Sequence, residues 1–289
     1  MDETGACLGL QISGHQLYYA VHEGGVGNHL QHIGCIDFSF SLKDALFGKR
    51  DGIYTGLQNT LCNLGKKYSC TLARIVTPAD QECWSTLPRL VYETPDERED
   101  HLSILMGEIP RDQLESTWFP LSSQDFRLLL IRKREHLNRL RELLKHFPQC
   151  DFISEFEIGS EWHRLTGVRG SYITIHCHQK HLAVSSFLLG KLRGATTIPF
   201  DHIHDLPYLW SYHGNHLSWL HGIHEQAYIF GKQADEVRDA LVSFISETGN
   251  PVVMNNLYTM RVVADEETYG FPLESAFPAI LLSLNRDNN

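Results

Sequence analysis

One order of segments occurs twice along this chain, and few folds can accommodate it. Near the N-terminus, Cys7–Ile12, Leu17–His22 and Leu30–Phe40 are rich in β-formers, with a Ser13-Gly14 turn between the first two. Ile53, Leu57, Leu61 and Leu64 then recur at helical spacing, and Leu72–Val76 reads as a short buried strand ended by Thr77-Pro78. From Tyr172 the grammar returns: Tyr172–Ile175, Leu182–Leu188 and Lys191–Pro199 as strands, a mostly helical stretch over Leu206–His224, and the strand Ala227–Phe230. An amphipathic helix over Ala234–Ser246, a strand over Pro251–Met254 and an apolar helix over Leu273–Leu284 complete the chain. Three meandering strands, a helix and a further strand, repeated, predict an α/β duplication.

The segment between the halves is acidic and punctuated by proline. Leu102, Leu105 and Met106 put an apolar stripe on a charged helix that Pro95 starts and Pro110 stops. Packing on its own domain is the expectation, with partner binding as the sharper alternative. Phe126–Pro148 reads as strand then helix, with Leu137, Leu140, Leu144 and Phe147 as the buried stripe. Its many basic residues, Arg132 to Lys145, could meet phosphates or acidic lipid, but a solvated face is the expectation.

The 289 residues are 42% apolar, which suffices for a sizeable core, and carry a formal charge of −10. That balance opposes a nucleic-acid binder working through phosphate neutralisation. Met1-Asp2-Glu3-Thr4 is acidic where a secretion signal would be basic, and no apolar run approaches bilayer length. The seven cysteines include no C-x-x-C pair and read as free thiols of a reducing compartment. A cytoplasmic protein with no direct membrane insertion is expected.

The order of elements, together with LRGATTIPFD and the strand–helix LLLIRKREHLNRLRELLKHF leading into CDFISEFEIGSEWH, resembles the actin-like ATPase superfamily. It is similar above all to PilM-like proteins of type IV pilus and secretion platforms and to related bacterial actin-like families. The resemblance implies a duplicated RNase H-like (actin-like ATPase) fold, with two domains around a central cleft. The domains would span residues 1–165, with an insertion around 78–125, and residues 166–289.

In that superfamily a hairpin tip in each half points at the nucleotide phosphates. Each tip carries an Asp for hydrated magnesium or the attacking water, then a Gly admitting close backbone approach. Here the first tip, LGLQISGHQL, has Gln11 in place of Asp and Ser13 in place of Gly, with Gly9 and Gly14 nearby. The second, TIHCHQKHLAV, has Thr174 at the Asp position and His176 at the Gly position. The third motif, YIFGKQADE, keeps only Gly231 of a Gly-Gly pair. Without carboxylates at those tips, hydrolysis would lose its charge-organising groups, which is worth orders of magnitude in rate. The resemblance therefore implies a non-catalytic scaffold with no catalytic residues and no cofactor. Its partner would be the cytoplasmic tail of an inner-membrane protein, lying in an N-terminal groove beside Tyr92–Ser116 and holding the chain peripherally at the inner membrane. The alternative is a nucleotide-binding ATPase or kinase with altered phosphate loops, taking ATP and Mg²⁺.

A third reading comes from histidine density. Nine histidines lie between His176 and His224. His176 and His178 alternate on one strand and can face one side, leaving Cys177 on the other. His202 and His204 form a second H-x-H. Imidazoles so placed suit zinc or nickel, but no HExxH, no C-x-x-C and no carboxylate partner completes a coordination set. No metal is expected.

Overall fold

The computed structural model describes residues 5–24, 27–48, 51–107, 109–120, 125–221, 224–245, 251–265, 268 and 270–284. The first half opens with strands β1 (Ala6–Ser13), β2 (Gln16–His22), β3 (His29–Leu30) and β4 (His32–Asp37). Helices α1 (Leu42–Phe47) and α2 (Asp51–Lys67) lead to β5 (Cys70–Thr77). An insertion follows: β6 (Glu82–Pro88), α3 (Arg89–Glu93), α4 (Pro95–Met106), β7 (Leu114–Pro120) and β8 (Phe126–Lys133). Then come α5 (Arg134–Leu143), β9 (Gln149–Ser154) and α6 (Ile158–Thr166). The second half runs β10 (Ser171–Cys177), β11 (His181–Leu188), β12 (Lys191–Pro199), α7 (Leu206–His216) and β13 (Gln226–Gly231). It ends with α8 (Ala234–Ile245), β14 (Val252–Val253), α9 (Leu257–Met260), β15 (Val263–Ala264) and α10 (Leu273–Leu284).

The duplication is visible in the pairing. One sheet has the order β4-β2-β1-β5-β9 and the other β12-β11-β10-β13-β14. In each, the first three strands in sequence pair antiparallel, and the last two add in parallel beside the first. β3 and β15 form a two-residue parallel bridge between the halves, with Val263 opposite His29. The insertion is a three-stranded sheet, β6-β8-β7, so the predicted strand at Phe126 belongs to it. α4 packs on that sheet through Leu102, with Leu105 and Met106 beside it, and ends at Gly107; the packing expectation holds.

Strand alternation sends each sheet's side chains to two cores. Leu8, Leu10 and Ile12 face α2 and α5, which bury Leu57, Leu61, Leu64, Leu140 and Leu143. Ile173, Ile175 and Cys177 face α7 and α8 through Leu206, Trp210, Val237 and Leu241. The opposite faces share a third core, built on α6 and α10. α10 is apolar apart from Glu274, Ser275 and Ser283, and eleven of its residues are buried, as suits a helix enclosed by the core. It crosses β1 so closely that a Cβ on Gly9 would lie 1.9 Å from the Ala279 carbonyl oxygen and 2.6 Å from the Ser283 nitrogen. α6 in turn lies on the second sheet, where a Cβ on Gly159 would meet the Phe187 ring at 2.2 Å. Each half is thus closed by a helix seated on the other half's side of the shared core.

Arg74 of β5, fully buried, ties these pieces together. Its Nε donates to Asp151 Oδ2 of β9 at 3.2 Å, and its Nη1 to Glu161 Oε2 of α6 at 3.1 Å and to the Leu282 carbonyl of α10 at 3.4 Å.

Several expectations are corrected. Leu30–Phe40 is not one strand: it breaks at Gln31 into β3 and β4 and stops at Asp37, because Ser41 caps α1 by accepting from the Asp44 N–H. The helix drawn to His224 ends at His216, just after the poor helix formers Gly214 and Asn215. The basic run is only partly a solvated face. Arg132 pairs with the buried Glu82 at 2.7 Å, and Arg139 donates to the Leu46 and Gly48 carbonyls at 3.1 and 2.7 Å. All seven cysteines are free thiols, and no helix among the described residues is long and apolar enough to cross a membrane.

The helix-on-glycine contact makes a direct test. Gly9→Ala should cost about 1–3 kcal/mol in urea unfolding, since the added carbon must push α10 away. Gly56→Ala, on α2 with nothing within 4 Å of its Cβ, should be neutral or stabilising by up to about 1 kcal/mol. Equal effects at the two positions would refute the proposed seat.

Candidate functional site

The parallel strands of both sheets end at the same junction. β5 and β9 finish at Thr77 and Ser154, β10 and β13 at Cys177 and Gly231. In open α/β sheets the carboxyl ends of parallel strands are where ligands bind.

At Ser154 the chain turns sharply. The Ser154 hydroxyl accepts from the Phe156 N–H at 3.2 Å, while Glu157 Oε2 accepts from the Ser154 N–H at 3.3 Å, a capping box that starts a 3-10 turn over Glu155–Glu157. The Ser154 hydroxyl also donates to Glu82, which accepts from Thr77 Oγ1 at 2.5 Å, so the insertion is bound to the same strand ends. The turn projects Glu155 off the end of β9 and into the second half. Its carboxylate is buried. Oε2 accepts from the Ala79 N–H at 2.8 Å, and Oε1 accepts a short hydrogen bond from His178 Nε2. His176 Nδ1 sits 2.6 Å from that same Oε1, close enough for an ion pair but out of line for a hydrogen bond.

His176 and His178 do share one face of β10, and Cys177 is buried on the other. The His176 ring also rests against Phe230, centroids 4.7 Å apart, and His178 stacks on His181 at 4.3 Å. Phe156, Ala79 and Ala183 form a small apolar cluster beside this contact.

The electrostatics follow from burial set against charge. Burial disfavours an ionised Glu155, but the His178 and His176 imidazoles outweigh it and hold the carboxyl well below the usual range. Burial likewise opposes a charged His178, yet Glu155 prevails and its pKa is raised. For His176 burial wins and its pKa is lowered. His181 is pushed down to about 4 by burial and then by its neighbour His178.

The other singled-out positions have local employment. Gly9 faces α10, as described. Gln11 is buried, its Nε2 donating to the adjacent Ile12 carbonyl at 3.1 Å and its Oε1 without a partner. Ser13 ends β1, and Gly14 forms the hairpin turn at φ 63°. Thr174 is buried on the face of β10 that carries His176. Gly231 has φ 97°, and a Cβ there would lie 2.4 Å from the Cys177 carbonyl and 2.7 Å from His176 Cδ2. Its left-handed backbone lets the Lys232 N–H reach the Cys177 carbonyl at 2.9 Å.

Sequence reasoning finds no carboxylate for the histidines; the fold supplies Glu155. Its only sequence signal is the S-x-x-E pattern at Ser154–Glu157, which announces a turn without saying what the turn will face. His202 and His204 lie in a 3-10 turn after β12, while His213 and His216 end α7. Among the described residues, Glu155, His176 and His178 are the group of three metal-ligating side chains whose donor atoms converge, all within 4.8 Å.

No protein-family model matches this chain, and no curated protein matches its sequence. Solved structures do match in shape. The chain is similar to the PilM-PilN type IV pilus biogenesis complex, with TM-score 0.65 and 10% identity over 96% of this chain and 97% of that one. It is similar to the cytoplasmic domain of EpsL, an inner-membrane component of the type II secretion system of Vibrio cholerae, with TM-score 0.52 and 8% identity over 96% and 94%. A Bacteroides thetaiotaomicron protein with actin-like ATPase fold and unknown function matches at TM-score 0.50 and 14% identity, over 90% and 97%. The chain therefore has the actin-like ATPase fold, and PilM stands among its structural neighbours.

Apart from the Glu155, His176, His178 and His181 group, His224 is also set against protonation. It is buried, bonded through Nε2 to the Trp219 carbonyl at 3.0 Å, and burial lowers its pKa despite that bond. The folded chain then binds fewer protons than the unfolded one as pH falls below 6.5, and stability drops with it. Between about pH 7.5 and about pH 5.5, His224→Gln should lose less unfolding free energy than the parent. Identical losses would clear His224 of any part in the acid response.

Proposed function

We propose that this chain is a non-catalytic, PilM-like docking body that binds the cytoplasmic tail of an inner-membrane protein and neither requires nor hydrolyses nucleotide. The reading rests on one observation above the rest: the strand ends of the two halves are joined by the buried Glu155–His176–His178 contact. A carboxylate flanked by two imidazoles offers nitrogen donors, which hydrated magnesium avoids. His176 puts a ring where phosphate binding calls for bare backbone. The glycines that would support a nucleotide site are otherwise explained: Gly9 by α10, Gly14 by its turn, and Gly231 by the contact with Cys177 and His176. Gln11 and Thr174 offer no charge.

A cavity on the first half supports the docking reading. Its volume is about 940 Å³, and it is lined by Tyr54, Ile109, Gln113, Lys133, Arg134 and Asn138, among others, and so borders the Tyr92–Ser116 segment as the tail groove should. Burying an extended tail there needs shape and a few polar anchors, and no reacting group. Such a partner would hold a cytoplasmic chain peripherally at the inner membrane. The printed descriptions of the neighbours, a PilM–PilN complex and an inner-membrane component's cytoplasmic domain, are in keeping with this.

Titration calorimetry with ATP and Mg²⁺ tests the catalytic side. No binding is expected, and micromolar affinity with turnover would overturn the reading in favour of an ATPase or kinase. An array of cytoplasmic tails from inner-membrane proteins tests the docking side. Asn138→Arg, placed in the groove, should weaken a captured tail by about tenfold or more with the melting temperature unchanged. Failure to capture any tail, or an indifferent Asn138→Arg, would remove the partner claim.

A further inference from the structure

The cluster between the halves is built more tightly than an ion pair requires. Two ring nitrogens, His176 Nδ1 and His178 Nε2, converge on a single oxygen, Glu155 Oε1. Only His178 is aligned to donate to it. His176 Nδ1 is buried, aimed into the same point and left without a hydrogen-bond partner. A buried polar atom so placed costs stability unless something else meets it. A positive centre that takes both nitrogens and the oxygen as donors at once would satisfy His176 Nδ1.

We propose that Glu155 Oε1, His176 Nδ1 and His178 Nε2 form a binding site for a divalent transition metal, zinc above all, which staples the first half of the molecule to the second. The donor set is two imidazoles and one carboxylate, the chemistry that zinc takes in three-ligand sites and that magnesium and calcium avoid. The three donor atoms already lie within 4.8 Å of one another. Around an ion with bonds of about 2.0–2.1 Å, tetrahedral donors sit roughly 3.3 Å apart. His176 Nδ1 and Glu155 Oε1, now 2.6 Å apart, need only part by less than about an ångström. The remaining tetrahedral position is left for water.

Outer contacts favour the arrangement. The Ala79 N–H holds Glu155 Oε2 at 2.8 Å, fixing the carboxylate so that Oε1 is presented. Phe230 packs on the His176 ring and His181 stacks on His178, restricting both imidazoles. The ligands come from opposite sides of the junction, Glu155 from the turn after β9 and the histidines from β10. The site therefore exists only in the assembled two-half fold, and metal binding adds to the stability of that assembly. Both readings start from the same cluster, but their tests are separate, since a stapled body can bind a tail or not.

The test uses the untagged 289-residue chain, stripped with chelator, given one equivalent of Zn²⁺ and passed over a desalting column. About one zinc per chain should be retained by elemental analysis, with the melting temperature raised by several degrees. His178→Gln should abolish both, whereas the double variant His202→Ala, His204→Ala should keep both. Co²⁺ supplies a readout that does not depend on a variant's folding: the parent should show the intense visible bands of a tetrahedral site. Failure of the parent to retain zinc, retention undiminished in His178→Gln, or only the faint spectrum of octahedral Co²⁺ would each overturn the proposal.

Discussion

The packing of α10 against the Gly9 face of β1 is the contact on which the rest of the structure depends. The last helix of the chain lies on its first strand, with the Ala279 carbonyl where a side chain would otherwise be. That approach brings Phe277, Ile280, Leu281 and Leu282 into the shared core, each worth about 1.5–3 kcal/mol on burial. α6 makes the reciprocal crossing over Phe187 by means of Gly159. Because both closing helices lie in one core, neither half is complete without the other.

From that packing the junction chemistry follows. With α6 held over the second sheet, the short turn between β9 and α6 has one direction to take, and Glu155 is carried to His176 and His178. Arg74 fixes the same geometry from behind, joining β5, β9, α6 and α10 through one buried guanidinium. Removing one partner from such a buried set typically costs about 3–5 kcal/mol, because the charge left behind has no water to turn to. The Glu155 contact differs from Arg74 in where it sits. It occupies the carboxyl ends of the parallel strands, where a fold of this kind would otherwise keep an open ligand site.

The parts legible in the sequence were those with a strong local period. β12 and α10 fall where the pattern put them, and β1, β2, β5, β10, β11, β13 and α8 lie within a few residues of it. β6 and β7 were not legible, for ECWSTLP and LESTWFP alternate too little to announce a sheet, and become strands by pairing with β8. β3 and β15 are two residues long and exist only because each meets the other across 234 positions of chain, as His29 with Val263. The histidine pair on β10 could be read from alternation alone. Its carboxylate could not, since Glu155 lies in a turn whose direction is set by helices that pack elsewhere.

By itself, then, the sequence determined the doubled order of strands and helices, the two-fold repetition of the sheet and the face of β10 that carries His176 and His178. All of these follow from periodicities of two and 3.6 residues and from glycine at the hairpin turns. The tertiary structure alone decided that α10 returns to β1, that Gly9 makes room for a helix, and that Glu155 meets two imidazoles in a buried junction. Those outcomes depend on close packing between segments remote in the chain, where a single Cβ is enough to forbid the approach, and no local pattern records them.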